Sequence, residues 1–142
     1  NEGIVPGGGI ALMKASDMVE LYSENFENQE QIEGANLILK ACKAPFRSIM
    51  ENAGLNAEVI WNNIYESRSD VETETASKNY GYDARNEKYV DMVTAGIIDP
   101  LKVTRVALEK AVSVAGTMLT TECIVTKQKG DKDVMPQMPG MM

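Results

Sequence analysis

Apolar residues recur at helical spacing along most of the chain, which predicts a mainly helical protein. A first helix follows the triple glycine 7–9, and the polar segment 23–29 ends it. Residues three and four positions apart share one face of a helix. The face predicted to be buried in this first helix carries Ala11, Ala15, Met18 and Tyr22.

Two further helices are predicted on either side of Ala44-Pro45. A proline interrupts the hydrogen-bond ladder of a helix interior but fits the first turn of a new helix. The buried stripe before this point is Ile32, Ala35, Leu39 and Cys42. The stripe after it is Phe46, Ile49, Met50 and Ala53. Gly54 is placed to end the third helix, because glycine commonly follows the last helical residue.

A fourth helix and a hairpin are predicted in the middle of the chain. Asn56 is suited to cap the helix that carries Val59, Ile60, Trp61 and Ile64. Segment 67–78 (SRSDVETETASK) is polar and predicts an exposed loop. In segment 79–89, tyrosines alternate around a turn-prone centre, which predicts a β-hairpin. Residues 90–95 predict one helical turn, closed by Gly96.

The last predicted helix begins at Asp99-Pro100, because Asp is a strong N-cap and Pro suits the first helical position. Its apolar face carries Val103, Ala107, Ala111, Val114 and Met118. Segment 120–126 is β-branched and predicts one strand, which needs a partner in this chain or in a neighbouring subunit. Segment 127–142 is charged and then rich in Met and Pro, and it predicts no fixed structure.

Composition narrows the classes of function. The 142 residues include 14 Lys and Arg against 21 Asp and Glu, a net charge of −7. This balance argues against a nucleic-acid-binding surface, which needs a basic stripe. The absence of histidine excludes Ser-His and Cys-His catalysis and His-liganded zinc within this chain. Two cysteines are too few for a disulfide framework and favour a reducing compartment. No apolar run reaches the roughly 20 residues of a membrane span.

Three features could carry chemistry. A triple glycine at a helix start offers backbone amides to a phosphate, although it matches neither the dinucleotide pattern nor a Walker A loop. A flexible helix entry is the simpler interpretation of these glycines. Asp99 is predicted to be a helix cap, and its carboxylate could also accept a hydrogen bond from a ribose hydroxyl. Asp83 and Ala84 lie at the hairpin tip, where a turn role is the simpler interpretation.

Several motifs, in the same order, resemble the GroEL-type group I chaperonins over nearly the whole chain. They are residues 2–12 (EGIVPGGGIAL), 79–82 (NYGY), 96–100 (GIIDP), 102–105 (KVTR), 113–116 (SVAG) and 120–123 (TTEC). The ending MPGMM is similar to the Gly-Gly-Met tail of the family, which the organellar branch, mitochondrial or plastid, often varies.

The resemblance implies a fold and a domain organisation. Residues 1–126 would be the C-terminal half of a chaperonin equatorial domain, and residues 127–142 a flexible Met/Pro-rich tail. The fold class expected is mainly α, a helical bundle with a small β-hairpin and a C-terminal strand. The equatorial domain binds the nucleotide and makes the ring contacts in this family.

The resemblance also implies a function and partners. The full-length protein to which this chain would belong is called the parent protein below. It would be a homo-oligomer of heptameric rings that enclose and refold unfolded proteins, driven by ATP hydrolysis and capped by a small co-chaperonin. Neither nucleic acid nor a membrane is expected as a partner. The expected location is the mitochondrial matrix, with a plastid or the bacterial cytoplasm as alternatives.

Five site residues follow from the resemblance. Gly8 matches the glycine that packs against the adenine nucleotide, Ile97 the apolar residue beside the base, and Asp99 the aspartate near the ribose. Asp83 and Ala84 match an Asn-Ala pair at the hairpin that meets the adenine. Asp83 departs from the usual asparagine, which could weaken adenine recognition or only shift a hydrogen bond.

The cofactor implied is ATP or ADP with Mg²⁺. The phosphate loop, the Mg²⁺ ligands and the catalytic aspartates are expected upstream of residue 1, so this chain is expected to hold no catalytic or metal-binding residue and not to hydrolyse ATP alone. Arg47 matches a basic residue at the ring–ring contact, but its usual acidic counterpart is Asn56 here. Periodicity alone would also allow an independent helical protein-interaction module without nucleotide binding.

Overall fold

The computed structural model describes residues 2–20, 26–67 and 78–126 of the chain. The elements, in chain order, are β1 (Ile4–Pro6), α1 (Ile10–Glu20), α2 (Gln29–Asn52), α3 (Ala57–Glu66), β2 (Tyr80–Asp83), β3 (Lys88–Asp91), β4 (Ile98–Pro100) and α4 (Leu101–Leu119). The predicted mainly helical fold with a small hairpin is confirmed. Tyr22, most of the predicted loop 67–78 and the predicted tail 127–142 lie outside the described residues.

The described strands form two antiparallel pairs. β1 pairs with β4, and Val5 lies opposite Asp99. β2 pairs with β3, and Gly81 lies opposite Val90, so the predicted hairpin is confirmed. The helical turn predicted at 90–95 is wrong at its start, because Val90 is held in the strand ladder. A turn over residues 92–96 follows instead and ends at Gly96, whose φ is +75°.

The helix boundary predicted at Pro45 is wrong, because α2 is one helix of 24 residues. Cys42, Phe46 and Met50 lie four residues apart and all are buried, so one buried stripe runs past the proline in a single phase. Ile49 and Ala53, which were also predicted to be buried, are exposed. A proline in a helix interior costs about 3 kcal/mol relative to alanine. Burying Phe46 and Met50 against the core contributes about 1.5–3 kcal/mol each, which outweighs that cost.

The junction between α2 and α3 forms as the sequence predicts. Gly54, at φ +75°, follows the last residues of α2, and its N–H donates to the carbonyl of Glu51 at 2.9 Å. The N–H of Leu55 donates to the carbonyl of Met50 at 2.9 Å, which completes a Schellman motif. Asn56 then caps α3, because its side-chain oxygen accepts two backbone N–H groups of the first turn at 3.0 and 3.2 Å.

The core lies where α1, α2, α3 and the hairpin meet. Its buried members are Ile10, Met13, Phe46, Met50, Ala57, Ile60, Trp61, Ile64, Tyr82 and Met92. The rings of Phe46 and Trp61 pack edge to face with centroids 5.9 Å apart. Large apolar side chains from every one of these elements therefore share one cluster, which fixes the glycine-rich entry to α1 against the hairpin.

The face predicted to be buried in α1 is wrong. Ala15 is exposed and Met18 is half-exposed, whereas Ile10, Met13 and Ser16 are buried. The buried face is rotated from the predicted one by about one residue. Alanines contribute little apolar area, so the larger Ile10 and Met13 determine which side of the helix enters the core.

The predicted cap of α4 is also wrong. Asp99 belongs to β4, and Pro100 occupies the capping position without a side-chain hydrogen bond. Pairing of β4 with β1 continues through Pro100, which lies opposite Ile4, so the helix starts one residue later than predicted and Asp99 lies one residue before the capping position. The helix therefore begins at Leu101, immediately after the strand.

Apolar residues at the C-terminal end of the described chain are exposed. No residue of α4 is buried, and the predicted apolar face is open, with Val103 62% and Val114 60% exposed. The strand predicted over 120–126 does not form, because within the described residues no element pairs with this exposed segment. None of the helices in the three described ranges is long and apolar enough to cross a membrane.

Gly9 offers a direct test of the packing of α1 on α2. A Cβ at Gly9 would lie 2.6 Å from the backbone nitrogen of Phe46, and its φ is +78°. Gly54 has nearly the same φ, +75°, with open space around it. Both alanine variants bear the left-handed strain, but only Gly9→Ala also forces two helices apart. We expect Gly9→Ala to lower the free energy of unfolding by about 2 kcal/mol more than Gly54→Ala does.

Urea denaturation followed by the fluorescence of Trp61, the single tryptophan, measures this difference. Equal losses of stability in the two variants would contradict the close approach of α1 and α2.

Candidate functional site

The pairing of β1 with β4 places the glycine loop beside two predicted site residues. The N–H of Gly7 donates to the carbonyl of Ile97 at 2.9 Å, and Val5 lies opposite Asp99 in the strand pair. A Cβ on Gly7 would lie only 3.2 Å from the backbone of Ile97, so glycine permits this approach. The structure therefore brings Gly8, Ile97 and Asp99 together at the start of α1.

Gly8 combines a left-handed backbone with free amide donors. Its φ is +65°, and a Cβ there would lie 3.2 Å from the terminal methyl of Met92. Within the described part of the chain, the N–H groups of Gly8 and Gly9 donate to no acceptor. Amides at a helix start carry the positive end of the helix dipole and favour an anionic ligand. This loop can therefore receive a phosphate or another electronegative group.

Met92 connects the glycine loop to the hairpin. Its side chain is fully buried, and a Cβ on Gly81 would lie 2.6 Å from its Cγ. Its backbone N–H donates to the carbonyl of Asn79 at 2.9 Å, and its carbonyl accepts from the N–H of Ile97 at 2.8 Å. Nothing in the spacing of Met92 along the sequence indicates that it joins the hairpin to Gly8.

Asp99 is the carboxylate at this site that remains available. It lies half-buried in β4, and its side chain makes no hydrogen bond or ion pair with any other described residue. Because it does not cap α4, its oxygens can accept from a ligand hydroxyl. In the described ranges, no three acidic or cysteine side chains cluster closely enough to hold a metal ion.

Asp83 is engaged in the hairpin turn. Its Oδ1 accepts the backbone N–H groups of Arg85 at 3.0 Å and Asn86 at 3.2 Å, and its Oδ2 accepts the side-chain amide of Asn86 at 2.7 Å. The side-chain hydrogen bond from Asn86 is the largest cause of its lowered pKa. Ala84 follows, half-buried against the core. The turn role of Asp83 is therefore confirmed, while its contact with an adenine stays a prediction.

Arg47 makes an ion pair within the chain that the sequence did not reveal. It bonds to Glu58 in the first turn of α3, and this hydrogen bond raises the pKa of the guanidinium. Asn56, the residue that replaces the expected acidic counterpart, is occupied in capping α3. Glu58 lies two residues after position 56, where the acidic partner was expected, so only the fold shows which side chain Arg47 reaches.

A second ion pair fastens the start of the chain to α4. Arg105 donates to both carboxylate oxygens of Glu2 at 2.6 and 3.0 Å, and to Glu109 one turn along at 2.6 Å. These contacts raise the pKa of Arg105 and lower that of Glu2. The ion pair of Arg105 with Glu109 could be predicted from its spacing of four residues, whereas the pair with Glu2, 103 residues away, could not.

Acid should weaken the hairpin turn, because protonation of Asp83 removes the negative charge that strengthens its three hydrogen bonds. The pKa of Asp83 lies below its ordinary value of 3.8 in the folded protein. The stabilisation that the Asp83 carboxylate gives to the turn is therefore complete above pH 3.8, and it is lost as the pH falls through the lower pKa of the folded state. An NMR titration should show the Asn86 amide shifting with a midpoint below 3.8.

Asp83→Asn is the control for this titration, since it removes the titrating group and should abolish the shift. A midpoint at or above 3.8 in the unmodified protein would contradict the turn geometry.

Comparison with solved structures identifies the fold. The chain is similar to a group III chaperonin in the open state, with a TM-score of 0.74 and 28% identity, over 87% of this chain and 24% of that one. It is similar in fold to an open-state monomer of a group II chaperonin from Methanococcoides burtonii, with a TM-score of 0.71 and 23% identity, over 83% of this chain and 28% of that one. The chain spans about a quarter of the length of either structure.

The sequence match is as extensive as the structural one. Residues 1–129 match the family described as the TCP-1/cpn60 chaperonin family. This range contains the glycine loop, the hairpin and β4, which together build the candidate site. The chain therefore belongs to the TCP-1/cpn60 chaperonin family.

Proposed function

We propose that this chain is the C-terminal half of the equatorial domain of a group I chaperonin and forms one wall of its adenine-nucleotide site. Family membership supports a chaperonin. The ordered motifs described above support the group I assignment, while the two compared structures belong to groups II and III. The observation that carries the proposal is the convergence of the glycine loop, Ile97 and Asp99 on the start of α1.

The residues at this place fit an adenine nucleotide. The N–H groups of Gly8 and Gly9, which have no acceptor among the described residues, suit electronegative atoms of the ligand, and the absence of side chains lets the ligand approach the backbone. The carboxylate of Asp99, which bonds to no other described side chain, suits a ribose hydroxyl, and half-buried Ile97 offers an apolar surface to the base. Bound ATP supplies the phosphoryl group whose transfer to water drives the folding cycle, while these residues bind and orient it.

The hairpin is proposed to complete the base contact through Ala84. In this chain Asp83 stabilises the turn that presents Ala84, because all three of its hydrogen bonds remain within the turn. The departure from asparagine therefore strengthens the turn, since a carboxylate has two acceptor oxygens and an amide has one. Adenine recognition then depends on the shape of the hairpin rather than on the side chain of Asp83.

The exposed C-terminal segment is proposed to make ring contacts in the parent protein. Every residue of 120–126 is exposed, and Val125 is 93% exposed, which is costly for β-branched side chains in water. Unpaired backbone in such a segment can add to a sheet of a neighbouring subunit. Heptameric rings, unfolded-protein substrates, a small co-chaperonin and a mitochondrial matrix location belong to the same proposal.

Replacing Asp99 in the parent protein tests the nucleotide site. Asp99→Ala should weaken the affinity for ADP roughly tenfold, because one hydrogen bond to a charged acceptor is lost. The variant should keep its stability, since Asp99 does not cap α4. Isothermal titration calorimetry and urea denaturation measure the two quantities, and Glu51→Ala on the exposed side of α2 is the control.

Unchanged affinity in Asp99→Ala would remove Asp99 from the site. A parent protein that binds no adenine nucleotide at all would favour the alternative of a helical interaction module.

Two truncations of the parent protein test the division between strand and tail. Deleting 127–142 should leave ring assembly intact, whereas deleting 120–142 should abolish it, because only the longer deletion removes the proposed intersubunit strand. Size-exclusion chromatography of both proteins decides the matter. Monomers from the shorter deletion, or rings from the longer one, would show that the division is wrong.

A further inference from the structure

Lys14 is a lysine in α1 that the proposed nucleotide site does not use. Its side chain is 9% exposed, and its ammonium donates to the carbonyl of Lys78 at 2.7 Å and to that of Tyr80 at 2.8 Å. Lysine is almost never buried at this depth unless its charge is satisfied. These acceptors lie more than 60 positions along the chain, so the bonds connect α1 to the start of the hairpin.

The ammonium binds the edge of β2 that faces away from β3. The carbonyl of Asn79 accepts from Met92 beyond the end of β3 and so faces that strand. Successive carbonyls of a strand point to opposite sides, so the carbonyl of Tyr80 faces the other edge. Lys14 reaches this second carbonyl and thereby satisfies an acceptor that the hairpin ladder cannot.

A second contact of the same helix face fixes the neighbouring residue of β2. Ile10, one turn before Lys14, lies so close that a Cβ on Gly81 would be 3.1 Å from its Cγ1. Tyr80 is held by a polar bond and Gly81 by apolar contact, so two consecutive residues of the strand are attached to α1. These two attachments add to the core packing of Tyr82 and Met92 in holding the hairpin against α1.

We propose that Lys14 is a positioning residue that holds the hairpin tip, with Ala84, at a fixed distance from the glycine loop and so sets the affinity for adenine nucleotide. This inference rests on the proposed function. The glycine loop leads directly into α1, and the tip leads directly from β2. Since Lys14 joins these two elements, its removal changes the spacing between the two halves of the site without touching the ligand.

The experiment uses the full-length parent protein and three variants. Lys14→Met keeps the length of the side chain and loses its donors, Lys14→Arg keeps charge and donors, and Lys40→Met removes an exposed lysine of α2 as the control. Amide hydrogen exchange is compared between the hairpin and α3, and calorimetry gives the Kd for ADP.

Lys14→Met should accelerate exchange in the hairpin but not in α3. It should weaken ADP binding by up to about tenfold, because the bound ligand must then reposition a hairpin that the hydrogen bonds of the charged group no longer hold. Lys14→Arg should keep both the exchange rate of the hairpin and the Kd for ADP close to those of the unmodified protein, and so should Lys40→Met. If Lys14→Met does not fold, Lys14→Gln, a neutral and shorter donor, is measured in the same way.

Three results would overturn the inference. They are unchanged exchange in the hairpin, faster exchange with an unchanged Kd, and equal acceleration in the hairpin and α3, which would indicate general loss of stability. Failure of the unmodified parent to bind ADP would instead overturn the proposed function, and exchange alone would then decide whether Lys14 holds the hairpin.

Discussion

The packing of Met92 against two glycines is the constraint on which the candidate site depends. A Cβ on Gly81 would lie 2.6 Å from the Cγ of Met92, and one on Gly8 would lie 3.2 Å from its terminal methyl. The backbone of Met92 also bonds to Asn79 and Ile97. The glycine loop, the hairpin and the approach to β4 therefore meet at one buried side chain, and a side chain in place of Gly81 would displace it.

Features that depend on a few adjacent residues could be predicted from the sequence. Gly54 ends α2 and Asn56 caps α3, because the determinants of both lie within one helical turn. The hairpin formed where tyrosines alternate around a turn-prone centre, and Asp83 stabilises that turn. Nearness of Gly8 to Asp99 was accessible only through the resemblance to a family, since 90 residues separate them.

Features that depend on distant partners were predicted wrongly for identifiable reasons. Pro45 did not break α2, because Phe46 and Met50 after the proline are buried in phase with Cys42 before it. Asp99 did not cap α4, because strand pairing continues through Pro100 and delays the start of the helix by one residue. The apolar face of α4 and segment 120–126 are exposed. A hydrophobic pattern predicts that a surface will be covered, but it does not predict which part of the polypeptide covers it. Lys14 is the opposite case, a charged residue that is buried because distant backbone carbonyls accept its hydrogen bonds.

Membership of the TCP-1/cpn60 chaperonin family and the geometry around Gly8 meet in one claim, that this chain forms a wall of an adenine-nucleotide site. An electron cryomicroscopy structure of the full-length parent with bound ADP tests it most directly. The account predicts a ribose hydroxyl within hydrogen-bond distance of Asp99 and the base against Ile97 and Ala84. A nucleotide bound elsewhere, with the carboxylate of Asp99 covered by other parts of the protein, would contradict it.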